Sequence, residues 1–263
     1  MPAPASRHAA AWSGEEEGAT YERGRPDYPA AATDVLAERL GLGPGRVLVD
    51  VAAGTGKLTR SLTGTGARIV AVEPMAGMRM ALRAAVTDVG VVAGTAEALP
   101  LRSGTADALT VAQAFHWFDV GPATAELHRV LRPGGRLAVV DNRRDDDAGW
   151  MADVTAILHR YQRLVPRPAG VRRWRDDLLA SPYFTGWELV EVPHEQRFAS
   201  RDDFDARFTS VSSVILLPES RRAEMVTELR HAVRAVEPLV MPMHTTIRIA
   251  TRAAGGESGG GSR

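Results

Sequence analysis

The 263-residue chain contains no cysteine, and this absence excludes several kinds of protein at once. Disulfide frameworks, thiolate nucleophiles, iron–sulfur clusters and zinc sites with cysteine ligands all require thiols. An excess of one charge is also missing, because 32 basic residues balance 32 acidic ones and the isoelectric point lies near 7.1. A neutral chain has no general field to hold a polyanion or an anionic membrane surface. The composition therefore predicts a small-molecule partner, and neither nucleic acid nor a membrane.

Long apolar runs are missing as well. No stretch approaches the roughly 18 apolar residues of a membrane helix, and residues 1–18 lack the apolar core of a signal peptide. We therefore expect a cytoplasmic protein. Small and polar residues dominate 1–18 and 254–263, which predicts a flexible N-terminus and a disordered tail. The remaining residues, 19–253, have a length typical of one α/β domain.

Short β-branched runs alternate with helix-like stretches between these ends, as in βαβ units with a mostly parallel sheet. The predicted strands are 46–51, 68–72, 89–93, 106–112 and 136–140, and the predicted helices are 30–40, 57–63, 75–87 and 120–131. These strands are apolar at nearly every position, which favours burial on both faces. Further along, residues 148–181 and 201–238 are expected to be helical, and 187–198 and 245–251 to be the last two strands.

Aromatic residues are scarce and unevenly placed. None of the fifteen lies between Tyr28 and Phe115, so the first half of the sheet is built from aliphatic residues and glycine. The aromatics belong to the elements that would cover a site at the sheet edge. They are expected to attach a helical cap to the sheet, to line a pocket, or both.

A glycine turn and two acids follow the first two predicted strands. Gly54 and Gly56 open a helix directly after the first strand, where a backbone turn can approach a ligand closely. Asp50, at the end of that strand, suits a ligand with an ammonium group. Glu73 follows the second strand, where an acid accepts both hydroxyls of a ribose. The pattern predicts a nucleoside-containing cofactor, and Thr59 in place of a third glycine disfavours a dinucleotide.

These residues resemble the motifs of the class I S-adenosylmethionine (SAM) dependent methyltransferases. The segments that carry the resemblance are VLVDVAAGTGKLTR, AVEPMAGM, GTAEALPLRSGTADALTVAQAFHWFD and ELHRVLRPGGRLAVVD. Together they cover most of the chain and imply a Rossmann-like, doubly wound, mostly parallel seven-stranded sheet with helical cap insertions. The implied SAM-binding core is about 30–142, with cap segments at about 148–181 and 201–243. SAM is the implied cofactor and S-adenosylhomocysteine (SAH) its product.

The same resemblance implies a role for individual residues. The implied cofactor contacts are Tyr21, Arg25, Asp50, Ala52, Gly54, Gly56, Glu73, Pro74, Met75, Thr95, Ala96, Gln113, Ala114 and Phe115. The first acid and the glycines would hold the methionine end of SAM, Glu73 the ribose, and Pro74, Met75, Thr95 and Ala96 the adenine. Ala52 stands where the family usually has glycine.

A finer likeness points to the small-molecule, methyltransferase type 11-like subgroup. It rests on YERGRPDYP, from Tyr21 to Pro29, and on AFHWF, from Ala114 to Phe118. The likeness implies substrate contacts from Tyr28, His116 and Trp117. Tyr21 and Phe115 are candidates for an aromatic wall around the sulfonium, and cap packing is the alternative role.

His116 is the candidate catalytic residue, because it follows the fourth strand where a crevice would face a bound substrate. It would deprotonate a hydroxyl or hydrogen-bond a carboxylate, whereas a carboxylate nucleophile needs no base. Asp141 and Asn142 are similar to the magnesium-binding pair of catechol-type methyltransferases. Those enzymes also have an acid directly after strand four, where this chain has Gln113, so we expect no metal. An arginine-rich stretch at 160–175 is expected to be a solvated helix face paired with Asp176 and Asp177.

The predicted activity is methyl transfer from SAM to an oxygen, nitrogen or carbon of a small organic molecule of specialised metabolism. A SAM-binding enzyme that catalyses a rearrangement or cyclisation would have the same binding motifs. An NAD(P)-dependent oxidoreductase shares the glycine turn and the ribose acid, but the missing third glycine and the Pro-Gly-Gly turn count against it. A degenerate binding module is disfavoured because Asp50, Gly54, Gly56 and Glu73 are all present.

Overall fold

Seven strands form one sheet in the computed structural model, which describes residues 24–146, 149–165 and 173–254. They are β1 (Val47–Val51), β2 (Arg68–Val72), β3 (Gly90–Val92), β4 (Ala106–Ala112), β5 (Leu131–Arg144), β6 (Phe184–Arg197) and β7 (Val240–Arg252). Across the sheet the order is β3-β2-β1-β4-β5-β7-β6. The first five strands are parallel, and β7 runs antiparallel to both of its neighbours. The expected doubly wound, mostly parallel seven-stranded sheet is confirmed.

Helices occupy the connections that the sequence pattern predicts. In the core they are α1 (Ala30–Leu40), α2 (Lys57–Leu62), α3 (Ala76–Ala85) and α4 (Val120–Val130). In the cap they are α5 (Met151–Gln162), α6 (Trp174–Leu179), α7 (Arg201–Thr209), α8 (Ser212–Ile215) and α9 (Glu219–Ala232). None of these described helices has the length and hydropathy of a membrane span. The predicted N-terminus at 1–18, part of the first cap segment and all but the first residue of the predicted tail lie outside the described residues.

The last three strands are longer than their apolar runs predict. β5 was expected at 136–140 but extends from Leu131 to Arg144, because β4 pairs with it at Leu131 and β7 pairs with it from Arg136 to Arg144. β6 in turn pairs with nearly the whole of β7. Backbone hydrogen bonding to a neighbouring strand thus extends the strands through residues whose side chains are polar.

The second cap segment is three helices rather than the continuous helical stretch expected at 201–238. The first break falls between α7 and α8, and the second lies at Pro218, which precedes α9 with extended backbone angles. Proline lacks an N–H and suits the start of a helix, so it separates α8 from α9.

Two apolar layers cover the sheet and a third cluster fills the cap. Leu109, Leu127 and Leu137 belong to the layer on one face, and Leu36, Leu62 and Ile247 to the layer on the other. The cap has a separate core in which Phe204 and Phe208 are fully buried. The sheet core is therefore aliphatic around β1 to β3, and the aromatic packing lies where the cap attaches.

A buried carboxylate joins β1, β4 and β5 at their amino ends, opposite the predicted site. Asp107 accepts hydrogen bonds from the Val47 N–H (2.8 Å) and the Arg46 guanidinium (2.6 Å), and Arg132 forms a second ion pair with it at 2.6 Å. Burial raises the pKa of Asp107, but these hydrogen bonds and positive charges outweigh it and lower the pKa overall. The ionised form therefore stabilises the fold at neutral pH.

We expect Asp107→Ala to lower the free energy of unfolding by about 2 to 4 kcal/mol at pH 7, because it leaves the Val47 N–H without its acceptor and removes two ion pairs. Chemical denaturation monitored by circular dichroism measures this. Asp176→Ala, at an exposed position on α6, is the matched control and should change stability by less than about 0.5 kcal/mol. Equal effects of the two substitutions would contradict the structural role of Asp107.

Candidate functional site

The candidate site lies at the carboxyl ends of the parallel strands. β1 pairs with β2 on one side and with β4 on the other, so successive connections leave this edge in opposite directions. Open α/β sheets bind ligands in the crevice that forms at such a switch point. The predicted glycine turn, acids and aromatic segment all follow β1, β2 or β4, and the topology places their backbones along the same edge.

The turn after β1 has an unusual backbone. Gly54 and Gly56 have φ of 59° and 84°, the left-handed region that glycine adopts at little cost, and α2 starts directly after Gly56. A Cβ at Gly54 would meet no heavy atom of the described chain within 4 Å, so the turn faces open space. Ala52 also has a positive φ, 56°, which is strained for a residue with a side chain. At this position the methyltransferases that the sequence resembles usually have glycine.

The carboxylate of Glu73 connects the end of β2 to this turn. Its Oε2 accepts from the Gly54 N–H at 2.9 Å and its Oε1 from the Met75 N–H at 2.9 Å. Burial raises its pKa, while these two hydrogen bonds and the charge of Arg79 act in the opposite direction. Two carboxylate oxygens offer about four acceptor positions, so Glu73 keeps capacity for the hydroxyls of a ribose.

Asp50 lies beneath the turn rather than in the crevice. Its side chain is fully buried, and its two oxygens accept from the hydroxyls of Thr59 on α2 (2.6 Å) and Thr110 on β4 (2.8 Å). Burial raises its pKa to about 6 even though these hydrogen bonds favour the ionised form. Asp50 thus braces the turn from below, and in this arrangement it has no direct contact with the crevice.

A cleft opens between the glycine turn and the cap. The residues that line it are Arg25, Pro26, Tyr28, Ala52, Ala53, Gly54, Thr55, Lys57, Leu58, Ala112, Gln113, Asn142 and Arg207. Of the site residues predicted from the sequence, the structure brings five together here: Arg25, Tyr28, Ala52, Gly54 and Gln113. Tyr21 lies outside the described residues.

The segment 24–29 crosses this cleft as a strap. Asp27 accepts hydrogen bonds from Lys57 (3.1 Å) and Arg60 (2.9 Å) on α2, and Arg25 donates to the Ser210 carbonyl at the end of α7 (3.0 Å). Gly24 packs so closely on α7 that a Cβ there would lie 2.3 Å from the carbonyl oxygen of Ala206. The strap therefore links the turn after β1 to the cap.

The aromatic segment after β4 is a short 3-10 turn, Phe115–Trp117, beside the cleft rather than in its lining. Phe115 is 1% exposed and stacks on Trp174 of α6 at 5.5 Å between ring centroids. The rings of His116 and Trp117 contact each other at 4.7 Å, and both residues are half-buried. Phe115 thus has the cap-packing arrangement, which was the alternative to a cofactor wall. His116 stays a predicted catalytic residue that no contact here tests.

The residues predicted for the adenine occupy neighbouring loops. Pro74 and Met75 lead from β2 into α3, and Thr95 and Ala96 follow β3, which pairs with β2. Thr95 and Pro74 are exposed, Met75 is half-buried, and Ala96 belongs to the sheet core together with Ala114. These positions stay predictions, because the loops are adjacent but outside the cleft lining.

The Asp141-Asn142 pair does not present two metal ligands to the cleft. Asp141 is buried beside Arg248 and Arg175, at 3.5 and 3.7 Å, and Asn142 Oδ1 accepts from the Thr245 hydroxyl at 2.5 Å. Within the part of the chain that the structure describes, no three histidine or acidic side chains form a metal-binding group.

The arginine-rich stretch is not the simple solvated face that was expected. Arg175 pairs with Asp141 across the sheet edge and not with its neighbours Asp176 and Asp177, while Arg160 pairs with Glu228 on α9. These two arginines attach α6 to the sheet and α5 to α9. Arg167 and Arg172 lie outside the described residues.

Sequence patterns missed three residues that line or support the cleft. Lys57 is the only lysine of the chain and anchors the strap, Arg207 enters from the cap, and Thr110 holds Asp50 from β4. Because Lys57 is the only lysine of the sequence, it could have been recognised as a candidate functional residue. Neither of the other two belongs to a recognisable motif.

This sheet order, with a glycine turn after β1 and an acid after β2, defines the class I methyltransferase fold. The family model of the Methyltransferase domain matches residues 49–139, which include the turn, the acid and β4. A methyltransferase-like protein of Schizosaccharomyces pombe is 31% identical over 219 residues, which cover 83% of this chain and 84% of the relative. The chain therefore belongs to this methyltransferase family.

Other comparisons agree on the fold. An uncharacterized methyltransferase of Mycobacterium bovis is 46% identical over 140 residues, 53% of this chain and 56% of the relative, so the match spans about half of that protein. The structure of a candidate type II methyltransferase from Anaeromyxobacter dehalogenans aligns with a TM-score of 0.59 and 28% identity over 87% of this chain and 96% of that one. Geranyl diphosphate methyltransferase, solved in complex with SAM, has a TM-score of 0.50 and 17% identity over 85% of each chain.

We expect stability to depend on pH through Asp50. Its pKa of about 6 in the folded protein exceeds the usual 3.8, so the folded state holds this proton more tightly than the unfolded state. Between about pH 4 and pH 6 the wild-type protein should therefore lose up to about 3 kcal/mol of stability relative to Asp50→Asn as pH rises.

Urea denaturation of both proteins at several pH values between 4 and 7 measures the difference. Asp34→Asn, at an exposed position on α1, is the matched control and should follow the wild-type pH dependence. A constant difference between wild type and Asp50→Asn across this range would show that Asp50 titrates normally.

Proposed function

We propose that this protein binds SAM at the switch point between β1 and β4 and transfers its methyl group to a small organic molecule. The observation that carries the proposal is the hydrogen bond from the Gly54 N–H to Glu73, which joins an open glycine turn to an acid with spare acceptor capacity. A nucleoside with a short polar chain fits this pair, because the ribose and the chain attached to it would meet the acid and the turn together.

The proposed contacts follow the order of the strands. The methionine end lies over Gly54 and Gly56, with Asp50 supporting the turn from below. Arg25 of the strap faces the same cleft and is proposed to bind the carboxylate of the amino-acid group. The ribose lies on Glu73, and the adenine between the loop at Met75 and the loop at Ala96.

Gly56, Thr95, Pro74, Ala114 and Phe115 remain proposed contacts or supports of the bound cofactor. Tyr28, His116 and Trp117 remain the proposed substrate contacts, with Tyr28 in the cleft lining and the aromatic pair beside it. The substrate space is then bounded by the strap, the carboxyl ends of β4 and β5, and the cap.

Bound SAM supplies an electrophilic methyl group on a sulfonium. The residues of this chain position the methyl donor and the acceptor and exclude water, because in-line displacement depends mainly on holding the two reactants in contact. The strap from Gly24 to Pro29 lines the cleft, where α2 holds it at Asp27 and the end of α7 holds it at Arg25. Ala112 and Gln113 form the floor at the end of β4.

Ligand-dependent melting tests the choice of cofactor. At about 100 times its dissociation constant a ligand adds about 2.7 kcal/mol of stability, which corresponds to a rise of about 5 to 10 °C at this chain length. We expect this rise with SAM and SAH and none with NAD or NADP. A rise with NAD or NADP alone would contradict the proposal and indicate redox chemistry.

Glu73→Ala should cut the SAH-dependent rise by about half, because a tenfold loss of affinity removes about 1.4 kcal/mol at the same ligand concentration. Glu38→Ala, at an exposed position on α1, is the matched control and should leave the rise unchanged. Unchanged SAH affinity in a folded Glu73→Ala variant would exclude Glu73 from the ribose site.

Two related ligands test the role of Arg25. SAH carries an amino-acid carboxylate, whereas 5′-methylthioadenosine has the same nucleoside without it. Arg25→Gln should weaken SAH binding about tenfold by calorimetry and leave 5′-methylthioadenosine affinity unchanged, since a charge-assisted hydrogen bond is lost only with SAH. Arg68→Gln, at an exposed position at the opposite end of the sheet, is the control. Equal weakening of both ligands would show that Arg25 acts on the shape of the cleft and not on the carboxylate.

A further inference from the structure

The cleft lining carries positive charge and hydrogen-bond donors. Arg25, Lys57 and Arg207 are three cationic side chains among the described residues that line it, and that part of the lining has no aspartate or glutamate. Lys57 shares the carboxylate of Asp27 with Arg60, at 3.1 and 2.9 Å, so its ammonium group is directed to the strap. Arg25 and Arg207 remain as the two guanidinium groups of the wall that faces the glycine turn.

Arg207 is the cap's contribution to this wall. It is the only described lining residue from the cap helices, it lies on α7, and it is 5% exposed. Its guanidinium carbon lies over the ring of Phe208, 5.8 Å from the ring centroid, which is a cation–π contact. A guanidinium has five N–H donors, so Arg207 can keep its contacts within the chain and also bind a planar anion through two of them.

Asn142 adds a donor on the opposite side of the cleft. The Thr245 hydroxyl donates to Asn142 Oδ1, and Asn142 Nδ2 donates to the Asp27 carbonyl of the strap at 3.5 Å. An amide Nδ2 has two N–H donors, so the second one can bind an acceptor in the cleft. Gln113, which follows β4, holds the backbone at Asn142, because its Nε2 donates to the Asn142 carbonyl at 2.9 Å. The side chain of Asn142 is therefore oriented by Thr245 on β7 and by the strap, and its second N–H can meet an acceptor.

The described lining also has none of the side chains that most often remove a proton from a substrate. It contains no histidine, aspartate or glutamate, and the Lys57 ammonium donates a hydrogen bond to Asp27. His116 is on the 3-10 turn beside the cleft, with its ring against Trp117. Such a cleft suits an acceptor that is already ionised when it binds.

We propose that the methyl acceptor is the carboxylate of a small organic acid, held by Arg207 and Asn142, and that the product is its methyl ester. This inference rests on the proposed methyl transfer. One carboxylate oxygen forms a bond to the methyl carbon while the carbon–sulfur bond breaks, and SAH leaves with the electron pair. No proton moves in this step, because the acid arrives deprotonated and the positive charge of the sulfonium is neutralised.

The test uses the full chain, loaded with SAH, and defined pairs of ligands. Benzoate, hexanoate and succinate are compared with benzamide, hexanamide and succinamide by melting temperature. The same compounds are then incubated with SAM labelled in its methyl group, and ester formation is measured as volatile label released by mild base. We expect stabilisation and base-labile label with at least one acid and with none of the amides.

Variants connect this result to the cleft. Arg207→Gln should weaken binding and methylation of the responding acid at least about tenfold, while SAH and 5′-methylthioadenosine bind within about twofold of wild type. Asn142→Asp is the second variant: its carboxylate can still accept from the Thr245 hydroxyl, it lacks the Nδ2 donor, and its charge should repel the acid. Arg68→Gln removes the same charge far from the cleft and should behave as wild type.

Three results would overturn the inference. One is the absence of stabilisation and methylation by every acid of the panel in a protein that binds SAH. Another is label that is stable to base, which would indicate transfer to nitrogen, carbon or a hydroxyl. The third is an Arg207→Gln variant that loses SAH but keeps 5′-methylthioadenosine, because Arg207 would then bind the cofactor's carboxylate. Failure of the wild-type protein to bind SAH or SAM would instead refute the proposed function itself.

Discussion

The carboxylate of Asp50 joins the three elements that meet beneath the glycine turn. It belongs to β1, and it accepts one hydroxyl from α2 and another from β4, so the start of the helix and the central strand pair are held at one point. This arrangement places an acid where water cannot reach it, and the raised pKa of the carboxyl is the consequence of that burial. The backbone of the turn, with the strained Ala52 and the two glycines, is supported from below by this joint. The hydrogen bonds of Asp50 hold the open turn at a defined height above the sheet, so a binding site at this turn depends on them.

The division between an aliphatic sheet and an aromatic cap follows from where each kind of side chain packs best. β1 to β3 are covered by helices on both faces, where alanine, valine and leucine fill a narrow space between regular elements. The cap has its own core of phenylalanines and methionines, which fill the irregular space between α5, α7 and α9. Contacts between the two parts include the stack of Phe115 on Trp174, the pair of Arg175 with Asp141, and the β7 residues Met241 and Met243 in the cap core.

Electrostatics differ between the two sides of the cleft. Beneath the turn and at the end of β2 the acids Asp50 and Glu73 are buried, and each of their carboxylates accepts two hydrogen bonds from the chain. Across the cleft, the strap and α7 contribute guanidinium groups. A ligand that carries a cation toward the turn and an anion toward the cap would match this polarity. The proposed pair of a sulfonium and a carboxylate has this distribution of charge.

Much of the fold could be predicted from the sequence, because the signals for it are local. Apolar runs located the five parallel strands and an alternating pattern located β6, and the helices of the core begin and end within a few residues of the predicted bounds. The glycine turn and Glu73 were recognisable because their spacing depends on one βαβ unit. The lengths of β5 and β7 were underestimated, since pairing between strands that are far apart in sequence extended them through polar residues.

The amino-acid sequence by itself therefore determined the sheet, the turn and the family, all of which depend on periodicity and on the chemistry of neighbouring residues. Tertiary structure alone decided which side chains face the cleft. It turned Asp50 inward to two threonines, placed Phe115 in the core against Trp174, and brought Arg207 from a distant cap helix to the glycine turn. Side-chain direction at these positions is set by packing between elements remote in sequence, and no local pattern encodes that packing.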